Sequence, residues 1–593
     1  MAKIIKILKF GGSSVGTPKM IKKVGEIVKQ ASKKDNVAVV VSAFQGITDQ
    51  LLKCVRLAAK NNPKLEKELK NLKDRHFKAA TFLIKIKKRR KEAEDYIENL
   101  FKELELVLEK IKKEKSASPK NLDWVASFGE RLSAYIIAAS IKNGYFVDAR
   151  ELVKTDNNFV NAAVDFNKTN RRIKNYFRNP ANGTSRKGIP VITGFLGSTD
   201  SGETATLGRG GSDYTAAIFG AALGVKVIEI WTDVDGVMSA DPKLVKSAQV
   251  LSKISYEEAV EMAYFGAKVI HPATMLPAIK KGIPILIKNT FNPSAPGTLI
   301  QKDLIPEPFI KGVTAIDGVA LVNIAGIRLF GIPGSAARVF GSTARAKADV
   351  ILISQASSEH GICFAIKSNE LKPALFSLKK EFRKEIKSGQ VHIDINLNQS
   401  VLAVVGDGMR GIPGIAGRLF SVLGNNSVNI TAIAQGGSER NISFTVDSKN
   451  KVKALNIVHN EFFNNGQKNI FLIGAGNIGG ELLDQIQNLA KFHSVNLKVC
   501  GIINAFHMLM DEKGINLGGW RRKLEKGEEP NMEKWLSLAK SLPLDNKILV
   551  DCTASESVAK KYLEIAGAGF HIVTPNKKFN TFSMKEYRRL REV

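Results

Sequence analysis

A chain of 593 residues is too long for one hydrophobic core, and ordinary domain sizes divide it into about three to five units. Hydrophobic residues make up 44% and charged residues 24%, with 49 glycines and 19 prolines, which excludes a disordered chain and points to packed α/β domains. The formal charge of +31 raises nucleic acid as a partner, but much of the lysine lies in Leu65–Lys115, where it alternates with Glu and with Leu or Ile at helical spacing, as on a solvated helix face.

The opening residues, MAKIIKILKF, form an apolar run interrupted by Lys6 and Lys9. No later stretch reaches the uncharged length that a bilayer span needs, so neither a targeting segment nor a membrane contact is expected. To about residue 300, strand-like runs (Ile4–Phe10, Val37–Ser42, Pro190–Gly194, Lys226–Trp231) alternate with helical segments, the pattern of a mainly parallel sheet covered by helices. Ligands of such sheets gather at the C-terminal ends of the strands, where glycine- and threonine-rich loops stand here. One dense basic run, Lys85–Lys91 (KIKKRRK), falls in this region. No recognised nucleic-acid module accompanies it, and no nucleic-acid partner is expected.

Lys9 leaves the first strand into Phe10-Gly11-Gly12-Ser13-Ser14. Backbone N–H groups of such a loop can cradle phosphate, and a fixed ammonium can offset charge on a transferring phosphoryl group. Ordinary turns share this pattern, and the Walker sequence G-x-x-x-x-G-K-[ST] is absent. Specificity comes from further segments in order: Ser42–Asp49 (SAFQGITD), Ser127–Ser133 (SFGERLS), Thr206–Ala217 (TLGRGGSDYTAA), Trp231–Pro242 (WTDVDGVMSADP) and Tyr264–Pro272 (YFGAKVIHP).

Together these segments resemble the aspartate kinases of the amino-acid kinase family over the whole of residues 1 to 300. The resemblance implies ATP-dependent phosphorylation of the side-chain carboxylate of aspartate. It assigns catalysis to Lys9 and Asp213, and aspartate binding to Ser42, Thr48, Glu130, Arg209, Gly210, Gly211 and Ser212. An acid for the substrate ammonium and an arginine with N–H or hydroxyl donors for its carboxylate fit that chemistry. ATP, with Mg²⁺ on its phosphates, is expected along Lys9, Gly11, Gly12, Thr232, Asp233, Met238, Lys243, Lys268 and Val269. Met238 and Lys243 stand where the family commonly has tyrosine and arginine. Methionine still packs on a purine face, and lysine supplies charge without a bidentate fork.

The middle of the chain contains an internal repeat. Gly331-Ile332-Pro333-Gly334 recurs as Gly411-Ile412-Pro413-Gly414, Arg338 as Arg418, Gln355 as Gln435, Glu359 as Glu439 and Phe364 as Phe444, always at one offset. These paired modules resemble ACT domains, which bind amino acids between them. In the threonine-sensitive bifunctional aspartate kinase–homoserine dehydrogenases, a glutamine at the matched position of each module contacts threonine, which implies Gln355 and Gln435 here. An amide that both donates and accepts suits such a ligand. The alternative is that both glutamines satisfy backbone groups at sheet edges.

From Asn469 the strand NIFLIG runs into Gly474-x-Gly476-x-x-Gly479 and a helix, the context of a dinucleotide fingerprint. Asn504 follows the second strand, Asn496–Ile503, in place of the usual acidic ribose ligand, leaving NADP and NAD both open. Later strands are read at Lys547–Asp551 and Gly569–Thr574. Asp551-Cys552-Thr553 and Thr574-Pro575-Asn576-Lys577-Lys578 resemble the cofactor half of homoserine dehydrogenase. That resemblance implies cofactor contacts from Gly474, Gly476, Asn477, Ile478, Gly479, Thr553, Asn576 and Lys577. The family's substrate-binding half, with further catalytic residues, is expected after this point, and the sequence given stops at Val593. The chain alone is therefore expected to lack dehydrogenase activity unless a separately encoded fragment completes it.

The domains expected are a kinase domain at 1–302, tandem ACT domains at 303–465 (about 315–385 and 395–465), and an incomplete NAD(P)-binding Rossmann domain at 466–593. The four cysteines, Cys54, Cys363, Cys500 and Cys552, lie far apart with no C-x-x-C pair, so neither a protein metal site nor a disulfide is expected and a reducing cytoplasm fits. A homodimer or homotetramer is expected from the tandem modules and the resemblance. The rival readings are a kinase for another acidic amino acid and a catalytically weak, amino-acid-sensing regulatory protein.

Overall fold

Strand β1 (Lys6–Phe10) is bordered by a strand on each side. Its residues Ile7, Leu8 and Phe10 are fully buried, the continuous apolar run of a parallel strand covered on both faces. The computed structural model to which it belongs describes residues 4–178, 188–267, 271–302, 309–326, 334–355, 361–464, 467–489, 496–544 and 546–592. By contacts the chain divides into two units, 1–456 and 457–593.

In the first unit β1 is followed by β2 (Val37–Val41), β3 (Gly144–Val147), β4 (Ile189–Thr193), a hairpin of β5 (Leu196–Ser198) and β6 (Thr204–Thr206), then β7 (Val227–Thr232), β8 (Lys253–Ser255), β9 (Ile285–Asn289) and β10 (Thr298–Gln301). The main sheet has the order β3-β4-β2-β1-β7-β9-β10-β8. Pairing is parallel from β3 across to β9, and β10 runs antiparallel to β9. The strand order reverses beside β1, between β2 and β7, so the crevice at the C-terminal ends of these strands is where a ligand is sought.

Around this sheet lie α1 (Pro18–Ser32), α2 (Ile47–Ala59), α3 (Lys64–Leu83), α4 (Lys87–Glu114), α5 (Pro119–Ser140), α6 (Phe166–Arg178), α7 (Gly211–Leu223), α8 (Tyr256–Tyr264) and α9 (Pro272–Lys280). One core cluster joins α1 to α5 with β1 and β2. The charged stretch after Leu65 is thus a helix pair whose Leu72, Ala79, Leu100, Leu104 and Leu108 are buried, as its helical spacing requires. Both arginines of the basic run serve the fold. Arg89 donates to the carbonyls of Ala138 and Ile141 at the end of α5 and of Gly144 at the start of β3, and Arg90 donates to Ile84 O.

The internal repeat forms a second sheet in the same unit. Its strands are β11 (Gly312–Ala325), β12 (Val350–Ser354), β13 (Gly361–Lys367), β14 (His392–Val405), β15 (Ala432–Gln435) and β16 (Asn441–Asp447), in the order β12-β13-β11-β14-β16-β15. The bounds of β11 and β14, of β13 and β16, and of the helices Ser335–Arg345 and Ile415–Asn425 are related by the same sequence offset. Gly334 and Gly414 cap those helices at φ +91° and +88°, left-handed backbone that favours glycine. Phe364 and Phe444 are both fully buried. Gly331, Ile332, Pro333 and Glu359 of the first copy lie outside the described residues.

The second unit contains β17 (Gln467–Ile473), β18 (Asn496–Ile503), β19 (Met508–Met510), β20 (Lys547–Asp551) and β21 (His571–Val573), ordered β19-β18-β17-β20-β21. All pairs are parallel except that of β18 with β19. Among the described residues no helix is long and apolar enough to cross a membrane.

Candidate active site

At the C-terminal ends of β1 and β2 a cavity of about 840 Å³ opens, lined by Lys9, Gly12, Ser42, Thr48, Glu130, Arg209, Gly210, Gly211, Ser212 and Asp213 among others. The expected catalytic and aspartate-binding residues therefore converge on one space. Lys9, at the end of β1, is buried, and its Nζ lies 2.6 Å from Asp213 Oδ1. This contact is an ion pair without hydrogen-bond angles, and Asp213 Oδ1 has no hydrogen-bond partner.

Asp213 sits in the first turn of α7, whose dipole favours an anion at this end. The approach to that helix is a glycine loop. Gly208 and Gly210 adopt φ +72° and +73° around Arg209, whose side chain is exposed. A Cβ on Gly211 would come within 2.5 Å of Phe195 Cδ2, so glycine lets the loop pass close to β5.

Glu130 comes from the buried face of α5 and is 4% exposed. Its Oε1 accepts from Ala43 N at 3.4 Å, and its Oε2 has no partner. Burial pushes the carboxyl up to about 8, against the lowering effect of backbone N–H donors. Ser133, one turn further on, donates to Ser42 O at 2.8 Å. A Cβ on Gly129 would meet Ala43 Cβ at 2.9 Å, so a small residue there lets the helix reach the Ser42–Asp49 loop.

Asp123 was not among the residues expected here. It lies two turns before Glu130 on α5 and lines the same cavity, a spacing that offers the one sequence signal for it. It accepts from Val160 N, Thr206 N and Thr206 Oγ1 at 2.7–2.8 Å. It thereby holds the strand that leads into the Gly208–Ser212 loop, and burial raises its pKa.

The residues expected at the nucleotide do not line this cavity as a set. The glycine loop runs beside the end of β7, with Gly11 N donating to Trp231 O at 3.3 Å. Ser14 Oγ shares a 2.7 Å hydrogen bond with Thr290 Oγ1. Thr232 Oγ1 donates to Asp233 Oδ1 at 3.1 Å. Met238 is half-buried in an isolated bridge to Val250, and Lys243 is exposed. Lys268 and Val269 lie outside the described residues.

Gln355 immediately follows β12 and Gln435 ends β15, and both are exposed. Although β12 and β15 are the two outer strands of their sheet, Ser354 Oγ donates to Ile433 O at 2.9 Å. The outer strands of the two modules therefore meet next to the matched glutamines.

In the second unit the fingerprint glycines differ in their demands. A Cβ on Gly479 would stand 1.9 Å from Gly474 O, and one on Gly474 (φ +90°) would stand 2.7 Å from Thr553 Cγ2. Gly476 meets nothing within 4 Å, which leaves room for a pyrophosphate to approach the helix Asn477–Leu489. A 500 Å³ cavity beside it is lined by Ile478, Cys552, Thr553, Asn576, Lys577 and Lys578 among others. Thr553 Oγ1 donates to Asp551 Oδ1, and Asn576 Nδ2 donates to Asp551 Oδ2 and Ser555 O. Both side chains thus brace the cavity wall, whereas Lys577 is exposed. Asn504 Oδ1 accepts from Phe506 N and His507 N.

Comparison with known proteins agrees with this division. Residues 5–289 match the amino acid kinase family, 322–382 and 402–462 match an ACT domain, and 474–593 match the homoserine dehydrogenase NAD binding domain. The chain is 36% identical over 606 aligned positions to a bifunctional aspartokinase/homoserine dehydrogenase of Haemophilus influenzae, covering 99% of this chain and 73% of that one. It belongs to that bifunctional family. A chloroplastic member from Arabidopsis thaliana is 37% identical, with 99% of this chain and 66% of the relative aligned, so the chain spans about two thirds to three quarters of these family members. Among solved structures, Escherichia coli aspartokinase III in complex with aspartate and ADP matches with a TM-score of 0.65 at 28% identity, over 77% of this chain and 100% of that one. The aspartate kinase of Clostridium acetobutylicum matches with a TM-score of 0.65 at 30% identity and the same coverage. The first unit thus carries the family's amino-acid kinase fold and ACT domains, and the second its NAD-binding domain.

Proposed function

We propose that the first unit transfers the γ-phosphoryl group of ATP to the side-chain carboxylate of L-aspartate, forming 4-phospho-L-aspartate and ADP. The observation that carries this reading is Glu130. A buried carboxyl with one oxygen unpartnered, opening on the cavity that also holds Lys9 and Arg209, is matched to a ligand ammonium. In this reading the ammonium pairs with Glu130. The α-carboxylate is taken by Arg209, the Gly210–Ser212 backbone, Ser42 and Thr48.

The substrate's side-chain carboxylate then faces Lys9 and the N-terminus of α7. A carboxylate oxygen attacks the γ-phosphorus as the bond to the ADP oxygen breaks, and the Lys9 ammonium offsets the charge on the transferring group. Asp213, paired with Lys9, orients that ammonium. The nucleotide phosphates follow Gly11 and Gly12 toward Thr232 and Asp233, and Mg²⁺ brought with them neutralises further charge. We infer that this phosphorylation stands first in threonine, lysine and methionine synthesis.

Hydroxylamine trapping of the acyl phosphate, comparing aspartate with glutamate, tests this reading. An aspartate-dependent hydroxamate is expected, and its absence with aspartate would overturn the proposal.

The contact between β12 and β15 beside Gln355 and Gln435 supports threonine as an effector held between the modules and lowering the kinase rate. A homodimer or homotetramer is proposed on the same tandem modules. In the second unit the open approach at Gly476, the cavity beside it and Lys577 fit the pyrophosphate and nicotinamide ends of NADP(H) or NAD(H). That cofactor supplies hydride chemistry, and these residues bind and orient it.

A further inference from the structure

No residue of α3 lines the kinase cavity, yet two neighbours on this helix reach its loops. Arg75 Nη2 donates to Gly16 O at 3.0 Å and to Gln45 O at 2.9 Å. Gly16 closes the glycine loop that begins at Gly11, and Gln45 lies in the Ser42–Asp49 loop. His76, fully buried, stacks on Phe44 of the second loop with ring centroids 5.1 Å apart and planes 14° apart. It is held by a 2.7 Å hydrogen bond between its Nδ1 and Leu72 O. Burial lowers its pKa to about 4, so the ring adds no charge near the phosphate site.

The two loops touch where side chains are smallest. A Cβ on Gly16 would stand 2.9 Å from Gln45 Oε1, and one on Gly12 would stand 3.4 Å from Ala43 O. A single guanidinium nitrogen bonded to both carbonyls fixes the loops relative to each other. Hydrogen bonds from a charged donor are stronger than neutral ones, and Arg75 is half-buried.

We propose that Arg75 is a positioning residue that locks the phosphate-binding loop to the aspartate-binding loop, so that nucleotide and aspartate bind as a coupled pair. This rests on the phosphotransfer reading above. Ordering one loop on its ligand orders the other through Arg75, which raises affinity for the second ligand by removing part of its ordering cost.

The test is aspartate affinity of the full chain with and without a non-hydrolysable ATP analogue and Mg²⁺. In the unsubstituted chain the analogue is expected to raise aspartate affinity about tenfold, within the usual span of coupled sites. In Arg75→Met that gain is expected to fall below about twofold, while each ligand alone binds within about threefold of the unsubstituted chain. Lys73→Met, a substitution on α3 itself that removes an ion pair to Glu98 of α4, is expected to keep the tenfold gain. Where Arg75→Met is not folded by circular dichroism, Arg75→Gln is read in the same way. A gain retained without the arginine, or loss of both separate affinities to the same degree, overturns the proposal alone. Absence of aspartate affinity in the unsubstituted chain overturns the phosphotransfer reading with it.

Discussion

Lys9 Nζ and Asp213 Oδ1 stand 2.6 Å apart, although one residue ends the first strand of the sheet and the other opens α7. The pair places a cation and the N-terminus of a helix at the same end of β1, where an anion is to be held. Replacing Lys9 by Met is expected to lower kcat for acyl phosphate formation by about 10²–10³, the usual loss when one preorganised charge-stabilising donor is removed. KM for aspartate is expected to stay within about threefold, because uniform binding is left in place. Steady-state kinetics with hydroxylamine trapping checks both.

Glu130 predicts a pH dependence. In the free chain its carboxyl is pushed up to about 8, so at pH 7 it is mainly protonated, whereas a substrate ammonium requires the carboxylate. Aspartate binding should therefore release a proton near neutrality, and affinity should rise about tenfold per pH unit below 8 and level off above it. Calorimetry in buffers of different ionisation enthalpy measures the proton released. Glu130→Gln is expected to abolish both the release and the pH slope.

The same shift has a consequence for stability. A carboxyl whose folded pKa lies above its unfolded value contributes stability that is complete below the unfolded value, here 4.5, and lost as pH rises through about 8. Without aspartate, the melting temperature of the unsubstituted chain should fall relative to that of Glu130→Gln across this window. A constant difference between pH 5 and 9 would count against the burial of the ionisable group.

For the regulatory modules, Gln355→Ala and Gln435→Ala are each expected to raise the threonine concentration for half-maximal inhibition about tenfold. That is the loss of about 1.4 kcal/mol, within the range of one ordinary hydrogen bond. Titration of the kinase rate with threonine gives the value.

The fingerprint glycines of the second unit should separate stability from binding. Gly479→Ala, whose Cβ would overlap Gly474 O at 1.9 Å, is expected to destabilise that unit by several kcal/mol on the scale of strained core substitutions. Gly476→Ala meets no protein atom within 4 Å. It is expected to leave thermal stability unchanged while lowering NADP(H) or NAD(H) affinity at least tenfold through closer contact with pyrophosphate. Cofactor fluorescence titration and thermal melts of the two variants decide this.

Much of the site was legible because its residues stand in segments of unusual composition. Lys9, Ser42, Glu130, Arg209 and Asp213 belong to segments whose order is distinctive, and they line one cavity. Asp123 was harder to read, because its one signal is a place two turns before Glu130 on the same helix face, and its role depends on Thr206 and Val160 folding against it. Nor could the sequence show that Asn576, which lines the cofactor cavity, donates its amide to Asp551 and Ser555. In the basic run, Arg89 and Arg90 turn inward to carbonyls, which composition alone does not show.

What the sequence determined by itself is periodic and local: alternating strands and helices, a repeat at constant offset, and glycines at turns such as Gly334 and Gly414 where left-handed backbone begins a helix. Such features follow from short-range sterics and from hydrophobic spacing, which act between near neighbours in the chain. Only the tertiary structure decided which polar groups are already satisfied. Glu130 keeps an unpartnered oxygen, Arg75 bridges two loops far from it in sequence, and Gly476 is open where Gly479 is closed. Each of these depends on burial and on distances between segments that no local pattern encodes.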